Sequence, residues 1–117
     1  MPKPLTPSDL SDAAIAMIAN RFKVLSDPLR LKLLIALEAG ERNVSELVAA
    51  TKNTQTNVSR HLATLADAGI VTRRKEGQSA IYRISDPAVF DLCKHVCGSL
   101  QKRFEDQAKA ARLFTVG

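Results

Sequence analysis

The sequence predicts a mainly α-helical fold with one β-hairpin, in the order α-α-α-α-β-β-α. Apolar residues recur at helical spacing from about Leu10 to Leu65, which is typical of amphipathic helices. Residues 70–84 change to β-branched and aromatic residues in rough alternation, which favours two strands. Helical spacing returns beyond Asp86-Pro87. The length of 117 residues suits a single domain.

The first two helices are predicted from an apolar stripe and a helix-start signal. Helix 1 is expected over about Ser8–Leu25, and its stripe could serve the core or a dimer face; it consists of Leu10, Ile15, Ile18, Phe22 and Leu25. Asp27-Pro28 predicts the start of helix 2, because aspartate can cap free N–H groups and proline fits the first turn. Gly40 predicts its end.

A short turn separates the next two helices. Asn43 and Glu46 have the spacing of a capping box, which predicts helix 3 from there to about Ala50. Residues 52–54 form the predicted turn, and helix 4 is expected over about Gln55–Ala68.

A hairpin and a long helix complete the chain. The predicted strands are residues 70–74 and 80–84, with residues 75–79 as the turn. Helix 5 follows Asp86-Pro87 and runs to at least Phe104, or as far as Leu113. Two short helices joined by a tight turn and followed by a β-hairpin form a winged helix-turn-helix.

The charge balance favours a polyanionic partner. The chain has 17 Lys+Arg against 12 Asp+Glu, a net charge of +5 and a pI near 9.6, although these values also fit an ordinary basic protein. No apolar run reaches the roughly 18 residues of a membrane span, and no apolar signal core follows Met1. We therefore expect a cytoplasmic protein with no membrane partner. Its two cysteines are then thiols, metal ligands or redox groups rather than a structural disulfide.

Helix 4 has an apolar face and a polar face. Val58, Leu62 and Leu65 are expected to pack inward, and the opposite face has no carboxylate before Asp67. Arginine can pair with guanine, asparagine and glutamine with adenine, and threonine methyl groups can contact thymine. The face alone could be an ordinary solvated one, but the helix-turn-helix and the basic hairpin favour double-stranded DNA. The predicted DNA contacts of this helix are Thr54, Gln55, Thr56, Asn57, Ser59, Arg60, His61 and Thr64.

Two further points concern this DNA-binding surface. We expect His61 to be packed against the turn or bonded to phosphate rather than to serve as a metal ligand. Arg73, Arg74 and Lys75 of the hairpin complete the predicted set, because a basic ribbon can bind the phosphate backbone or enter the minor groove.

The chain resembles the ArsR/SmtB family of bacterial repressors over roughly Phe22 to Leu100. The segments that carry the resemblance are residues 25–30 (LSDPLR), 55–62 (QTNVSRHL) and 65–71 (LADAGIV), together with Gly77 and Tyr82-Arg83-Ile84 of the hairpin. The resemblance implies a homodimer built through the first and last helices. It also implies binding to a two-fold symmetric operator and release when an effector binds, often a metal ion or a thiol-reactive species.

The resulting domain division has three parts. Residues 1–7 are a flexible N-terminal arm, residues 8–105 are the winged helix-turn-helix DNA-binding and dimerisation domain, and residues 106–117 extend the last helix or form a tail. No cofactor is expected, and As(III) or another thiophilic ion would act as an effector.

Two metal sites typical of the family do not match this sequence. Arsenic and cadmium sensors often carry E-L-C-V-C-D in the third helix, where residues 46–51 read ELVAAT. Zinc sensors often carry D-x-H and H-x-x-E along the last helix, where the matched positions are Asp86, Ala88, Ser99 and Lys102. Only Asp86 keeps the ligand type, and Lys102 would repel a cation.

Cys93 and Cys97 are the remaining candidates for effector sensing. They lie ~40° apart around helix 5, whereas His95 lies ~200° from Cys93. The pair could bind As(III), Cd²⁺ or Cu⁺, with further ligands from the second subunit or solvent, or could be modified by oxidants or reactive sulfur. The alternative is that both are small buried hydrophobes. The protein would then be a repressor of the same fold without cysteine-based sensing.

Two other classes of function remain to be separated from this hypothesis. A winged-helix interaction module would not bind DNA, so its activity would not need Asn57 or Arg60 and would lack a steep salt dependence. An enzyme is not expected, because the glycines are scattered, no HExxH is present and the two histidines are far apart.

Overall fold

The structure is a computed structural model, and residues 6–115 are described. Its elements are a single 3-10 turn (Pro7–Asp9), α1 (Asp12–Leu25), α2 (Pro28–Glu38), β1 (Arg42–Asn43), α3 (Val44–Thr51), α4 (Gln55–Asp67), β2 (Val71–Glu76), β3 (Ser79–Ile84) and α5 (Ala88–Arg112). This order confirms the predicted winged helix-turn-helix. The predicted arm at residues 1–7 falls largely outside the described residues.

Local capping interactions set the helix starts. Asp27 caps α2, since its Oδ1 accepts from the N–H groups of Leu29 at 2.8 Å and Arg30 at 3.2 Å. The capping box of α3 is also present, with Asn43 Oδ1 accepting from Glu46 N at 2.8 Å and Glu46 Oε1 from Asn43 N at 2.9 Å. Both starts are as predicted.

Helix α1 begins later than predicted. The expected start at Ser8 was wrong because Leu10 has an extended backbone and Ser11 caps the helix by accepting from Ala14 N at 3.2 Å. Helix α2 ends at Glu38, with Gly40 at a φ of 140° two residues further on.

The sheet has three antiparallel strands in the order β1-β3-β2. Strand β1 was not predicted; it pairs Arg42 with Tyr82. The predicted hairpin turn at residues 75–79 was too long, because the ladder continues to the pair Glu76 and Ser79. Only two residues form the turn, and Gly77 takes a φ of 59° that favours glycine.

The core lies among α2, α3, α4 and the sheet. Val58, Leu62 and Leu65 of α4 are fully buried, as predicted. They pack with a set of apolar residues that includes Leu33, Leu34, Leu37, Leu47, Ile70, Val71 and Tyr82. Burial of each such side chain contributes about 1.5–3 kcal/mol, so this core fixes α4 with its polar face outward.

Val24 and Leu25 of α1 and Val89 of α5 are buried, but several other apolar residues of these two helices are exposed. On α1, Ile15, Ile18 and Phe22 are 43–52% exposed. The chain divides into one unit ending at Ser85 and a second unit, beginning at Asp86, that contains α5. Helix α5 exposes Val96, Leu100 and Phe104. Among residues 6–115, no helix is long and apolar enough to cross a membrane.

Candidate nucleic-acid interface

The turn between α3 and α4 is held by short-range hydrogen bonds. Lys52 ends α3 in the left-handed conformation, with φ 53° and ψ 45°. Asn53 Oδ1 then accepts from Thr54 N at 2.9 Å, and Thr54 Oγ1 accepts from Asn57 N at 3.2 Å. These contacts fix the direction in which α4 leaves the turn, and Gln55 remains exposed at its start.

The outward side of α4 carries most of the predicted DNA contacts. The exposed members are Thr54, Gln55, Thr56, Ser59 and Arg60, and Asn57 and Thr64 are partly exposed. We call this set the polar strip; it consists of Thr54, Gln55, Thr56, Asn57, Ser59, Arg60 and Thr64. It contains no carboxylate, and it lies opposite the buried side chains of the same helix.

Asn57 and Arg60 are already oriented within the chain. Asn57 Nδ2 donates to Asn53 Oδ1 at 3.0 Å, and Arg60 Nη2 donates to Asn57 Oδ1 at 3.4 Å. The remaining guanidinium donors of Arg60 are free to face a ligand, since five N–H groups are available on this side chain. The Thr64 hydroxyl donates instead to the Arg60 carbonyl at 3.3 Å, so its methyl group is the more available part.

His61 differs from the other predicted contacts because its polar atoms face the protein. Its side chain is only 13% exposed. Arg30 Nε donates to His61 Nδ1 at 3.0 Å, and His61 Nε2 lies 4.0 Å from Asp27 Oδ1. The ring thus contacts the start of α2, and not the turn between α3 and α4 against which it was expected to pack. This arrangement does not support a direct DNA contact from His61.

The contacts with Arg30 and His61 also affect the pKa of Asp27. Burial raises the pKa of Asp27, but the N–H groups of Arg30 and Leu29 and the charges of Arg30 and a protonated His61 outweigh it. The pKa of this carboxyl therefore lies below its ordinary value.

The basic residues of the hairpin lie on two faces. Strand alternation places Arg73 and Lys75 on one face of β2 and Arg74 on the other. Within residues 6–115, Arg73 and Lys75 have no ion-pair partner. Their charges are therefore not neutralised by an ion pair within this part of the chain.

Arg74 is bound by two carboxylates. Its guanidinium forms ion pairs with Glu41 at 2.6 Å and with Glu76. The Arg74 hydrogen bond lowers the pKa of Glu41, and the two carboxylates raise the pKa of Arg74 above its ordinary value. The pairing with Glu41 was not predicted from sequence, because Glu41 lies 33 residues before Arg74.

Helix α5 carries the two cysteines. Cys93 is half-buried and Cys97 is exposed, and both are free thiols. Among the described residues, no group of three or more His, Cys, Asp or Glu side chains is placed to hold a metal ion. A metal at these thiols would therefore need ligands from a second chain or from solvent.

Comparison with known proteins supports the resemblance seen in the sequence. Residues 27–73, from the α2 cap into β2, match the arsR family of bacterial regulatory proteins. The chain is 43% identical over 74 residues to a probable mercury resistance operon repressor from Streptomyces lividans, covering 63% of this chain and 59% of that protein. It is 42% identical over 65 residues to the arsenical resistance operon repressor of Escherichia coli K12, covering 55% of this chain and 56% of that protein. The chain thus spans less than two thirds of the length of these relatives.

A solved structure extends the similarity to most of the chain. The solution structure of a homodimeric winged helix-turn-helix DNA-binding domain from Mycobacterium bovis, a possible ArsR-family regulator, is 32% identical. It covers 83% of this chain and 93% of that one, with a TM-score of 0.70. The matched family is regulatory, in line with the prediction that the chain is not an enzyme. From its sequence and its fold, the chain belongs to the ArsR family of bacterial regulatory proteins.

Proposed function

We propose that this chain is a homodimeric transcriptional repressor in the cytoplasm that binds a two-fold symmetric operator through α4 and the hairpin. An effector that acts at Cys93 and Cys97 would release the operator. The observation that carries the DNA-binding part is the polar strip, an exposed helix face without carboxylates beside the basic strand β2.

The shape and chemistry of the polar strip suit the major groove. An α-helix fits this groove, where arginine recognises guanine and asparagine recognises adenine. Arg60 and Asn57 would supply these groups, and the free N–H groups at the N-terminus of α4 would suit a phosphate. Arg73 and Lys75 would add contacts to the backbone that carry no sequence information.

The homodimer is supported by exposed apolar surface on two helices. The M. bovis domain is described as homodimeric. In this chain, α1 exposes Ile15, Ile18 and Phe22, and α5 exposes Val96, Leu100 and Phe104. An exposed apolar patch on a helix marks an interaction site, and a second copy would cover the patch on each helix. Two copies related by a two-fold axis would then present two α4 helices to successive major grooves.

The effector is proposed from the chemistry of the thiols and the names of the relatives. Two relatives are a probable mercury resistance operon repressor and the arsenical resistance operon repressor. Thiolates favour soft ions such as As(III) and Cd²⁺, and each thiol loses its proton when it binds. Because Cys93 and Cys97 lie on the apolar side of α5, a bound ion or an oxidised sulfur would change how that side packs against a second copy. A coupling of ~1–3 kcal/mol between the two sites would suffice for release.

The DNA-binding proposal is tested with duplexes selected by the protein from a random-sequence pool. Binding is measured by fluorescence anisotropy from 100 to 300 mM salt for the wild type, Arg60→Ala and Arg112→Ala. We expect Arg60→Ala to weaken binding by about 5- to 150-fold, the range for one bidentate base contact. The control Arg112→Ala, at the end of α5, should change it little. Equal affinities for Arg60→Ala and wild type, with no salt dependence, would instead indicate an interaction module that does not bind DNA.

The effector proposal has a separate test. Reduced protein on its selected duplex is treated separately with As(III), Cd²⁺, Zn²⁺, peroxide and polysulfide, and mass spectrometry maps the cysteine state each time. We expect release from the wild type with at least one reagent and no release from the Cys93→Ser, Cys97→Ser double variant. Equal release from both proteins would show that the cysteines are not the sensor and would leave DNA binding intact.

A further inference from the structure

The Arg30 side chain of α2 links His61 of α4 to α1. Arg30 of α2 donates from Nε to His61 Nδ1 at 3.0 Å and from Nη1 to the carbonyl of Val24 in α1 at 2.9 Å. His61 follows Arg60 directly in α4, so any shift of the histidine backbone moves the arginine of the polar strip. Arg30 and His61 thus connect Arg60, the one basic residue of the polar strip, to the α1–α2 junction.

This hydrogen bond fixes the protonation state of the ring. An arginine side chain keeps its proton in proteins, so Arg30 can only donate. His61 Nδ1 must therefore present a lone pair, and the ring proton resides on Nε2. A protonated imidazole has N–H groups at both positions and can accept from neither. Proton uptake by His61 would end the bond and bring two positive charges together.

Asp27 offers the protonated ring another partner. Its Oδ1 lies 4.0 Å from His61 Nε2, at ion-pair distance for a charged imidazole. Within residues 6–115, Arg30 and Asp27 make all the ion pairs and hydrogen bonds of this ring, and none comes from α3 or β2, which also pack on α4. The hydrogen bond with Arg30 requires the neutral ring, whereas an ion pair with Asp27 requires the protonated ring.

We propose that Arg30 and neutral His61 form a positioning pair that sets the orientation of α4 for DNA, and that proton uptake by His61 weakens DNA binding. This inference rests on the proposed DNA-binding function of α4. It assigns His61 a role through Arg60 rather than through DNA. It also runs against the usual effect of acidification, because an exposed histidine that gains a proton attracts phosphate.

The test compares affinity at pH 8.0 and pH 5.8, across the range in which histidine side chains take up a proton. The probe is a duplex selected by the wild-type protein at pH 8.0, at fixed salt. His61→Asn keeps an acceptor oxygen at the Nδ1 position but cannot titrate, and His61→Ala removes the acceptor. His95→Asn changes the other histidine, on the exposed part of α5, and serves as the matched control.

We expect wild type and His95→Asn to bind severalfold more weakly at pH 5.8 than at pH 8.0. His61→Asn should bind with nearly the same affinity at pH 8.0 and at pH 5.8. His61→Ala should bind about tenfold more weakly than wild type at pH 8.0, whichever of the two pH values it is measured at. Rescue by asparagine but not by alanine separates a positioning role from a merely space-filling one.

Nitrogen NMR of the wild-type ring gives a second measurement that needs no DNA and no variant. The expected result at pH 8.0 is a proton on Nε2, with the Arg30 Nε–H signal shifting as the ring titrates. A proton on Nδ1, or an Arg30 Nε–H signal that does not shift as the pH is changed, would overturn the proposal. So would a pH profile for His61→Asn that matches the wild type. Absence of duplex binding at every pH would instead remove the proposed function, and the NMR result would still decide the state of the pair.

Discussion

Replacing Asp27 by alanine removes the cap of α2, and the structure sets the size of the effect. One carboxylate oxygen accepts from two backbone N–H groups, at 2.8 and 3.2 Å. Loss of an N-cap side chain costs about 0.5–2 kcal/mol. Because the Asp27 side chain is 34% exposed, water can replace part of the interaction, so we expect about 1 kcal/mol. For 117 residues the entropy of unfolding is about 0.25 kcal/mol/K, which makes the expected fall in Tm about 4 °C.

The assay is thermal unfolding by circular dichroism at pH 7.5, with all variants at one protein concentration because an oligomer gains stability with concentration. Asp27→Asn keeps an oxygen for the cap and should lose less than Asp27→Ala. Glu38→Ala removes an exposed carboxylate from the opposite end of the same helix and should change Tm by about a degree or less. The reasoning is refuted if Asp27→Ala loses no more than Glu38→Ala.

The same substitution carries a pH dependence with a definite sign. The pKa of Asp27 in the folded protein lies below its ordinary value of 3.8. Its charge therefore stabilises the fold fully above that ordinary value, and the contribution disappears as the pH falls through the folded pKa. The difference in Tm between wild type and Asp27→Asn should therefore shrink as the pH falls below about 4. A difference that grows below pH 4 would contradict the assignment.

Three further predictions concern other parts of the first unit. Lys52→Gly should raise the free energy of unfolding, measured in urea, by about 0.5 kcal/mol, because glycine adopts the left-handed φ of 53° without strain. The greater flexibility of glycine in the unfolded chain cancels only part of this gain. A loss of stability would contradict this prediction. Leu62→Ala should destabilise by about 2–5 kcal/mol in the same assay because the side chain is fully buried; a loss under about 1 kcal/mol would show that the site is not core. Glu41→Gln should tighten binding to a selected duplex and steepen its salt dependence, because Arg74 loses a competing carboxylate; unchanged anisotropy titrations would mean that Arg74 does not approach DNA.

The parts of the fold that could be predicted from sequence depend on neighbouring residues. Asp27 caps α2 through N–H groups two and three residues away, and Asn43 and Glu46 cap α3 reciprocally. Val58 and Leu62 are buried because their spacing places them on one side of a helix. Local chemistry of this kind is readable without knowledge of the rest of the chain.

The features that escaped prediction depend on distant partners. Strand β1 is two residues long and exists because Arg42 and Asn43 pair with β3 about forty residues later. The orientation of His61 depends on Arg30, 31 residues away, and the state of Arg74 depends on Glu41. A sequence pattern shows which residues are basic or polar, but not which of them form hydrogen bonds or ion pairs with one another in the fold.

Methylation interference tests the central claim, that the polar strip of α4 reads the major groove, most directly. A duplex selected by the protein is lightly treated with dimethyl sulfate, which methylates guanine N7 in the major groove and adenine N3 in the minor groove, and bound and free fractions are compared. We expect N7 methylation to exclude protein at two positions related by two-fold symmetry, and Arg60→Ala to lose discrimination there. Interference confined to adenine N3, or a pattern that Arg60→Ala leaves unchanged, would contradict the claim.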